Sequence, residues 1–322
     1  MREICQRFLS WNINISMDFV YGTITFIIVA ILYLHIVSQY KKGTDLEIYE
    51  TDFVDSPTLQ NTCDVMQPVI FKWVSNTHSP IKFMEASKFV MQVKDTNEFY
   101  NHTAVHNPDG ISLLATSLVK LLRKDTKSHY FSESNKTFIE DSGFLKTPKY
   151  IELDKILKPS YTVHSEYDIL TGSPNTCVPM RYHTKTRKFL YVASGKIRVK
   201  MATWKSHEWL HEIRDFENYD FRSPYNVWTP NNELDDILQF LEFDVMKGYV
   251  FYIPAFWWYS IKYEETDTVI MEYNYSTFMN KAAFALDSCQ YYLQQQNITT
   301  KATKRIYTNI SQISDDVSVE ED

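Results

Sequence analysis

The sequence predicts a mainly β domain with flanking helices, a jelly roll, preceded by one transmembrane helix. Two observations lead to this fold class. Short runs of alternating apolar and polar residues, separated by turn residues, recur through residues 161–276, and many short strands are typical of jelly rolls and barrels. A continuous apolar run, residues 19–37, is about as long as a helix that crosses a bilayer core.

The composition is that of an ordered globular chain, and it excludes several classes of function. The 322 residues are 44% hydrophobic, which is enough to bury a sizeable core. The net charge of −7 argues against nucleic acid as a partner, because phosphate backbones select basic surfaces. The 4 cysteines are far apart, so neither a zinc knuckle nor a disulfide framework is predicted. The 7 glycines stand singly, so no glycine-rich phosphate loop is predicted.

The apolar run Phe19–Val37 predicts a transmembrane helix over residues 19–40. The run contains no Asp, Glu, Lys or Arg, and Lys41 and Lys42 follow it. A cleaved signal peptide is the alternative, but its apolar region is normally shorter and ends in small residues. We therefore expect a single-pass anchor in a lipid bilayer.

The numbers of basic residues on the two sides of this anchor are nearly equal, so the sequence only weakly favours one orientation. Arg2 and Arg7 precede the span and Lys41 and Lys42 follow it, so the positive-inside rule barely decides. A start at Met17 removes both arginines and favours a cytosolic C-terminal domain, which is the orientation we expect. Several N-x-[S/T] sequons favour the opposite side, but an Asn- and Thr-rich chain produces such triplets by chance.

The divisions that follow are predicted from these patterns. They are an N-terminal segment (1–18), the transmembrane helix (19–40), a linker (41–52), the folded domain (53–295, with a β core over 161–276 and a C-terminal helix over 277–296) and a disordered polar, acidic tail (297–322). Within the domain, Ile111–Leu122 has apolar residues at helical spacing and predicts an amphipathic helix.

The clearest β pattern predicts a hairpin over Phe189–Met201. Apolar residues alternate on both sides of Ser194-Gly195, which is a turn signal. A second strand block, Gly248–Tyr263, contains another glycine turn and a proline break. The C-terminal helix, Phe278–Gln296, has one apolar face, formed by Phe278, Ala282, Ala285, Leu286, Cys289 and Leu293.

Two blocks resemble segments of JmjC and related cupin-like domains, closest to the asparaginyl-hydroxylase-like subgroup. GYVFYIPAFWWYSI, from Gly248, resembles the segment that precedes the distal metal-binding histidine. PMRYHTKTRKFLYVASGKIRVKM, from Pro179, resembles the segment that carries the first histidine and the carboxylate. The resemblance implies a double-stranded β-helix, and in active members Fe(II) and 2-oxoglutarate as cofactors.

At the three implied metal positions this chain has no metal ligand. The first histidine falls on Tyr182, the carboxylate on Thr184 and the distal histidine on Tyr259. A shift of one residue places His183 in the first position, but then Lys185 replaces the carboxylate. We therefore expect a domain without cofactor that acts as a non-catalytic binding or scaffolding module. The pocket candidates are His183, Lys196, Arg198, Trp257, Trp258 and Asn274.

Two enzymatic alternatives remain open. The first is an Fe(II)/2-oxoglutarate-dependent hydroxylase with relocated ligands, from His164, Glu166 and His183. The second is a zinc hydrolase, because His207 and His211 in HEWLH have the spacing of two ligands on one helix face.

Beyond the bilayer, the sequence names no partner. A protein partner of unknown identity is expected for a binding module. In proteins that the chain resembles, the C-terminal helix packs as a dimer element, so a homodimer through Phe278–Gln296 is a further expectation.

Overall fold

The computed structural model describes residues 2–53, 55–73, 80–100, 110–216, 218–230 and 237–296, with side chains from residue 17 onward. The described part is mainly β, with two large sheets, short helices and one long apolar N-terminal helix. The predicted mainly β class with flanking helices is therefore confirmed. The predicted tail, 297–322, lies outside the described residues.

Helix α1 (Arg2–Ser38) contains the predicted apolar span. Its segment Met17–Ser38 is long and apolar enough to cross a membrane, by length and composition. The backbone is helical through most of the predicted N-terminal segment, 1–18, so that segment continues the same helix. The side chains of the apolar segment are mostly exposed, although α1 contacts the short helix Phe278–Ala283 of the domain.

Nine strands of the described chain form the larger sheet, in the order β1-β2-β13-β8-β15-β6-β5-β3-β4. The strands are β1 (Tyr49–Thr51), β2 (Val69–Lys72), β3 (Val90–Asp95), β4 (Ile111–Leu114), β5 (Tyr130–Ser132), β6 (Thr162–Gly172), β8 (Arg187–Ser194), β13 (Tyr249–Ile253) and β15 (Val269–Thr277). β15 pairs antiparallel with both β8 and β6. β1 comes from the predicted linker, so the linker prediction is wrong for those three residues.

Six strands of the described chain form the smaller sheet, in the order β10-β11-β7-β14-β9-β12. They are β7 (Arg181–Tyr182), β9 (Lys196–Ala202), β10 (Ile213–Asp215), β11 (Asp220–Arg222), β12 (Leu241–Met246) and β14 (Trp258–Tyr263). β9 pairs antiparallel with both β14 and β12.

The predicted hairpin over Phe189–Met201 is wrong, because its two strands lie in different sheets. β8 belongs to the larger sheet and β9 to the smaller one. Gly195, with φ of 73°, forms the corner between them. Alternation predicts two strands and a turn, but it does not distinguish a hairpin from a corner that joins two facing sheets.

The helices of the described domain are short and lie mainly on the outer face of the larger sheet. Their bounds are α2 (Ser56–Cys63), α3 (Pro80–Ala86), α4 (Thr96–Phe99), α5 (Ala115–Lys124), α6 (Lys136–Ser142), α7 (Pro148–Leu157), α8 (Phe278–Ala283) and α9 (residues 285–296). Two 3₁₀ helices cover Phe144–Lys146 and Trp204–Glu208.

Two predicted helices differ from the observed ones. Over Ile111–Leu122, the first four residues form edge strand β4 and helix α5 begins at Ala115. The backbone of β4 pairs with β3, so these four residues form a strand although their apolar spacing predicts a helix. The predicted C-terminal helix is interrupted at Phe284, whose buried ring packs against the domain.

Three apolar clusters form the core of the described part of the domain. The first lies between the larger sheet and helices such as α5 and α7. The second lies between the two sheets and contains Leu190, Phe251 and Ile261. The third lies on the other face of the smaller sheet and contains Tyr182, Trp258 and Phe284. Each fully buried large apolar side chain stabilises the fold by roughly 1.5–3 kcal/mol.

Candidate functional site

Polar side chains occupy one region of the space between the two sheets, and we call them the interior cluster. Its members are Arg181, His183, Lys188, Tyr259, Glu272 and Asn274, all largely buried. Lys188 comes from β8, and Asn274 lies opposite it on β15. Glu272 shares a strand face with Asn274 because side chains two residues apart point the same way. Tyr259 comes from β14, where it pairs with Arg181 of β7.

An ion pair joins two neighbouring strands of the larger sheet within the interior cluster. Lys188 Nζ lies 2.6 Å from Glu272 Oε1, and the Asn274 amide donates to the same oxygen at 2.5 Å. Burial opposes the charge on Lys188, but Glu272 and the Tyr259 hydroxyl outweigh it and raise the pKa of Lys188. Lys188 therefore stays protonated, with the Glu272 carboxyl group beside it as its partner within the interior.

His183 has both ring nitrogens engaged in hydrogen bonds. Nε2 donates to the carbonyl of Ile253 at 3.0 Å, and Nδ1 accepts from the backbone N–H of Lys185 at 3.2 Å. Burial, with Lys188 nearby, lowers the pKa of His183 well below its usual range. The imidazole is therefore neutral, and either nitrogen can bind a metal only if a hydrogen bond breaks.

A second buried ion-pair group continues from Arg181. Its Nη1 lies 2.9 Å from Glu133, which also pairs with Lys94 at 3.0 Å. Burial raises the pKa of Glu133, but the two cations outweigh burial and lower it to about 2. The charge of Glu133 is therefore compensated by Arg181 and Lys94.

The three positions implied for the metal are not brought together. Tyr259 lies in the interior, whereas the Tyr182 ring stacks on Phe221 at 5.2 Å in the third core cluster. The Tyr182 hydroxyl donates to Glu212. Thr184 is buried, and its carbonyl accepts from the Asn280 amide at 2.8 Å. In this stretch the side chains of Arg181 and His183 enter the interior cluster. Each precedes by one residue a position that the resemblance implies, Tyr182 or Thr184.

The two tryptophans are buried on opposite faces of the smaller sheet. Trp257 packs between the sheets, and its indole N–H donates to the carbonyl of Met66 at 3.1 Å. Trp258 packs in the third cluster. Neither lines an open pocket with the other candidates, so we assign both to the core.

Lys196 and Arg198 lie away from the interior cluster. Both pair with Asp244 of β12, at 2.7 and 2.9 Å. The third basic residue of β9, Lys200, lies 3.6 Å from Glu242. The basic side chains of β9 therefore form ion pairs with acidic side chains of the neighbouring strand β12.

The relocated-ligand set is not assembled. His164 is half exposed, and its Nε2 lies 2.8 Å from Glu166. Glu166 also pairs with Lys185, and this ion pair together with His164 overcomes burial and lowers the pKa of Glu166 to about 2. His183 is directed to Ile253 instead.

The HEWLH segment is not an α-helix, so the interpretation of His207 and His211 as two ligands on one helix face is wrong. His207 lies in the 3₁₀ helix Trp204–Glu208 and stacks on Trp204 at 4.2 Å. His211 has φ of 46° and packs beside Tyr225 at 5.5 Å. Within the described parts of the chain, no group of three or more His, Cys, Asp or Glu side chains is arranged to hold a metal ion.

Sequence reasoning missed the charged members of the interior. Glu272 is the one charged residue in the otherwise apolar segment VIMEYNY, whereas Lys188 directly follows Arg187 at the start of its strand, RKFLYVA. A lone charge within an apolar run is a signal for a buried ion pair, because an unpaired charge there is very costly. Arg181, Glu133 and Lys94 carry no such local signal.

Comparison with known proteins does not place the chain in a family. No protein-family model matches it, and a search of the curated proteins finds no match. The functional interpretation therefore depends on the residues and contacts described above.

Proposed function

We propose that the chain is a single-pass membrane protein whose domain is a JmjC/cupin-like double-stranded β-helix without its metal triad. The domain acts as a non-catalytic binding or scaffolding module on the cytosolic side, for a protein partner of unknown identity. The observation that carries the proposal is the ion pair between Lys188 and Glu272, beside Tyr259 in the interior.

The strand order supports the double-stranded β-helix. From β6 to β9, consecutive strands alternate between the larger and smaller sheets, and so do β12 to β15. The four strands β13-β8-β15-β6 face the four strands β7-β14-β9-β12, with an apolar core between them. Two facing antiparallel sheets of this kind are the architecture of a jelly roll.

The interior cluster supports the loss of iron chemistry. A facial triad needs two imidazoles and a carboxylate that leave coordination positions open. Here the Glu272 carboxylate is already neutralised by Lys188, and Arg181 adds a further positive charge near Tyr259. A divalent cation placed among these groups meets ammonium and guanidinium groups in place of free ligands.

Metal content and turnover test this proposal directly. The full chain, purified in detergent, is incubated without oxygen with Fe(II), Zn(II) and 2-oxoglutarate and then desalted for elemental analysis. We expect less than about 0.1 equivalent of either metal, because a bound metal needs a preformed set of deprotonated ligands. On admission of oxygen, we expect no succinate above the protein-free control.

Two variants make the result decisive. Stoichiometric iron that disappears in His183→Ala but persists in His207→Ala would overturn the proposal in favour of a hydroxylase. Stoichiometric zinc that disappears in His207→Ala would also overturn it. A folded protein that binds neither metal supports the non-catalytic module.

A further inference from the structure

The apolar face of α9 points away from the domain. Its inner side packs through Tyr291, whose ring lies 6.1 Å from Tyr219. On its outer side Leu286 is 81% exposed, Leu293 59% and Tyr292 68%. Burial of these side chains needs a partner outside the described domain.

Further exposed apolar residues lie beside the start of α8. Thr277 pairs with Thr162, so the neighbouring residues Phe278 and Tyr161 flank the same position of the sheet. Phe278 is 62% exposed and Tyr161 89% exposed. We call this set the C-terminal patch; its members are Tyr161, Val163, Phe278, Leu286, Tyr292 and Leu293.

The end of the apolar span contacts the domain between α8 and α9, which carry part of this patch. Tyr40 lies two residues beyond α1, and its hydroxyl donates to the carbonyl of Ala283 at 2.5 Å. Its ring lies 4.9 Å from that of Phe284, between α8 and α9. The junction between the two short helices therefore lies beside the end of the span.

The next residues hold the domain in this position. Lys42 Nζ lies 3.9 Å from the centre of the Trp204 ring. Gly43 is buried against Trp257, so closely that a Cβ there would lie 2.6 Å from the indole nitrogen. With so short a connection, the domain has little freedom to move the C-terminal patch away from the membrane surface.

We propose that the C-terminal patch lies in the headgroup region of the same bilayer that α1 spans. This inference rests on the proposed membrane anchor. Tyrosine rings favour the interface, and leucines on a helix face penetrate to the boundary of the acyl chains. The charges agree: the only charged residue of α9, Asp287, is half-buried with Arg214 near its carboxylate, on the domain side.

The native Cys289 lies on the exposed side of α9 and serves as the site for a probe. The full chain carries Cys5→Ser and Cys177→Ser, while Cys63 stays unmodified because burial raises the pKa of its thiol to about 12. A polarity-sensitive fluorophore is attached to Cys289, and the protein is reconstituted into phosphatidylcholine–phosphatidylserine vesicles. The matched control has Cys289→Ser and carries the fluorophore at Met246→Cys, on edge strand β12.

Lipids brominated on their acyl chains then report contact. We expect them to reduce the fluorescence at Cys289 about two-fold, because an interfacial helix face reaches the acyl boundary. The control at position 246 should not change. Leu286→Gln combined with Leu293→Gln should reduce the quenching at Cys289 while the protein still floats with the vesicles.

Flotation of the protein with the vesicles distinguishes failure of the patch proposal from failure of the membrane anchor. Protein that floats with the vesicles but shows no quenching at Cys289 overturns the patch and leaves the anchor intact. If the unlabelled protein in the same vesicles also forms a Cys289 disulfide between copies when the oxidant copper phenanthroline is added, a second copy covers the patch instead of lipid. Protein that does not float overturns the anchor and the patch together.

Discussion

Single residues in the interior carry charges that the rest of the fold must neutralise. The ammonium of Lys188 lies between sheets, where water is excluded, and Glu272 supplies its counter-charge at 2.6 Å. Such a pair adds little net stability over an apolar pair of the same volume, but the loss of one partner is costly. The interior cluster therefore depends on both residues together.

Replacement of Glu272 by alanine leaves Lys188 buried without its carboxylate. We expect the free energy of unfolding to fall by about 3–5 kcal/mol, the cost of one uncompensated buried charge. Urea unfolding of the full chain in detergent, followed by tryptophan fluorescence, measures the change. Asp244→Ala breaks half-exposed ion pairs and should cost less than about 1 kcal/mol.

Removal of both charges tests whether the cost of Glu272→Ala comes from the uncompensated charge of Lys188. The double variant Lys188→Met, Glu272→Leu has no buried charge at these positions, and we expect it to recover most of the lost stability. A double variant as unstable as Glu272→Ala would contradict this account, since the loss would then come from packing.

Glu133 predicts how stability changes in acid. Burial opposes its charge, but Arg181 and Lys94 lower its pKa from the ordinary 4.5 to about 2 in the folded protein. A lowered folded-state pKa gives a stabilisation that is complete above pH 4.5 and is lost as the pH falls towards 2. Glu133→Gln should therefore lose less stability over this window than the unmodified chain, in unfolding curves at several pH values. Equal losses would mean that Glu133 does not titrate with folding.

At the level of elements, the corners between strands decide how the two sheets close. The backbone at Gly195 has φ of 73°, and an added Cβ would lie 2.7 Å from the Thr268 Cα. The corner therefore needs glycine for its conformation and for space. Gly143, at the end of α6, has φ of 68° but no atom within 4 Å of an added Cβ.

These two glycines form a matched pair for a stability measurement. We expect Gly143→Ala to cost about 1–2 kcal/mol, the strain of a left-handed conformation. Gly195→Ala should cost roughly 2 kcal/mol more, because the corner must also open to admit the methyl group. Chemical denaturation measures both, and equal costs would show that Thr268 moves aside freely.

In the whole molecule, the connection between the apolar helix and the domain is a packed stem. Tyr40, Lys42 and Gly43 each contact the domain within five residues of the end of α1. We expect Gly43→Ala to loosen the stem, because its Cβ meets the carbonyl oxygen of Met66 and the Trp257 ring. Tryptic cleavage at Lys41 and Lys42 should become about tenfold faster, which corresponds to about 1.4 kcal/mol.

Gly22→Ala is the control for that change. Gly22 lies within α1 with no atom within 4 Å of an added Cβ, so cleavage at the stem should stay unchanged. A stem that is cleaved at the same rate in Gly43→Ala would indicate that these residues do not hold the domain.

The sequence by itself determined the features that depend on near neighbours. The apolar run before Lys41 predicted a helix long enough for a membrane, and alternation predicted strands such as β8 and β9. Both predictions hold because hydrophobic length and side-chain period are local properties. Local pattern also located the apolar face of the C-terminal helix, although not what covers it.

Only the tertiary structure decided which side of each strand faces the interior. β8 is buried on both faces, so alternation along it cannot identify the inner face. A shift of one residue exchanges the faces, which is why Arg181 and His183 join the interior cluster while Tyr182 packs outside it. The partner of Lys188 is likewise a tertiary property, because Glu272 reaches it only when β15 pairs with β8.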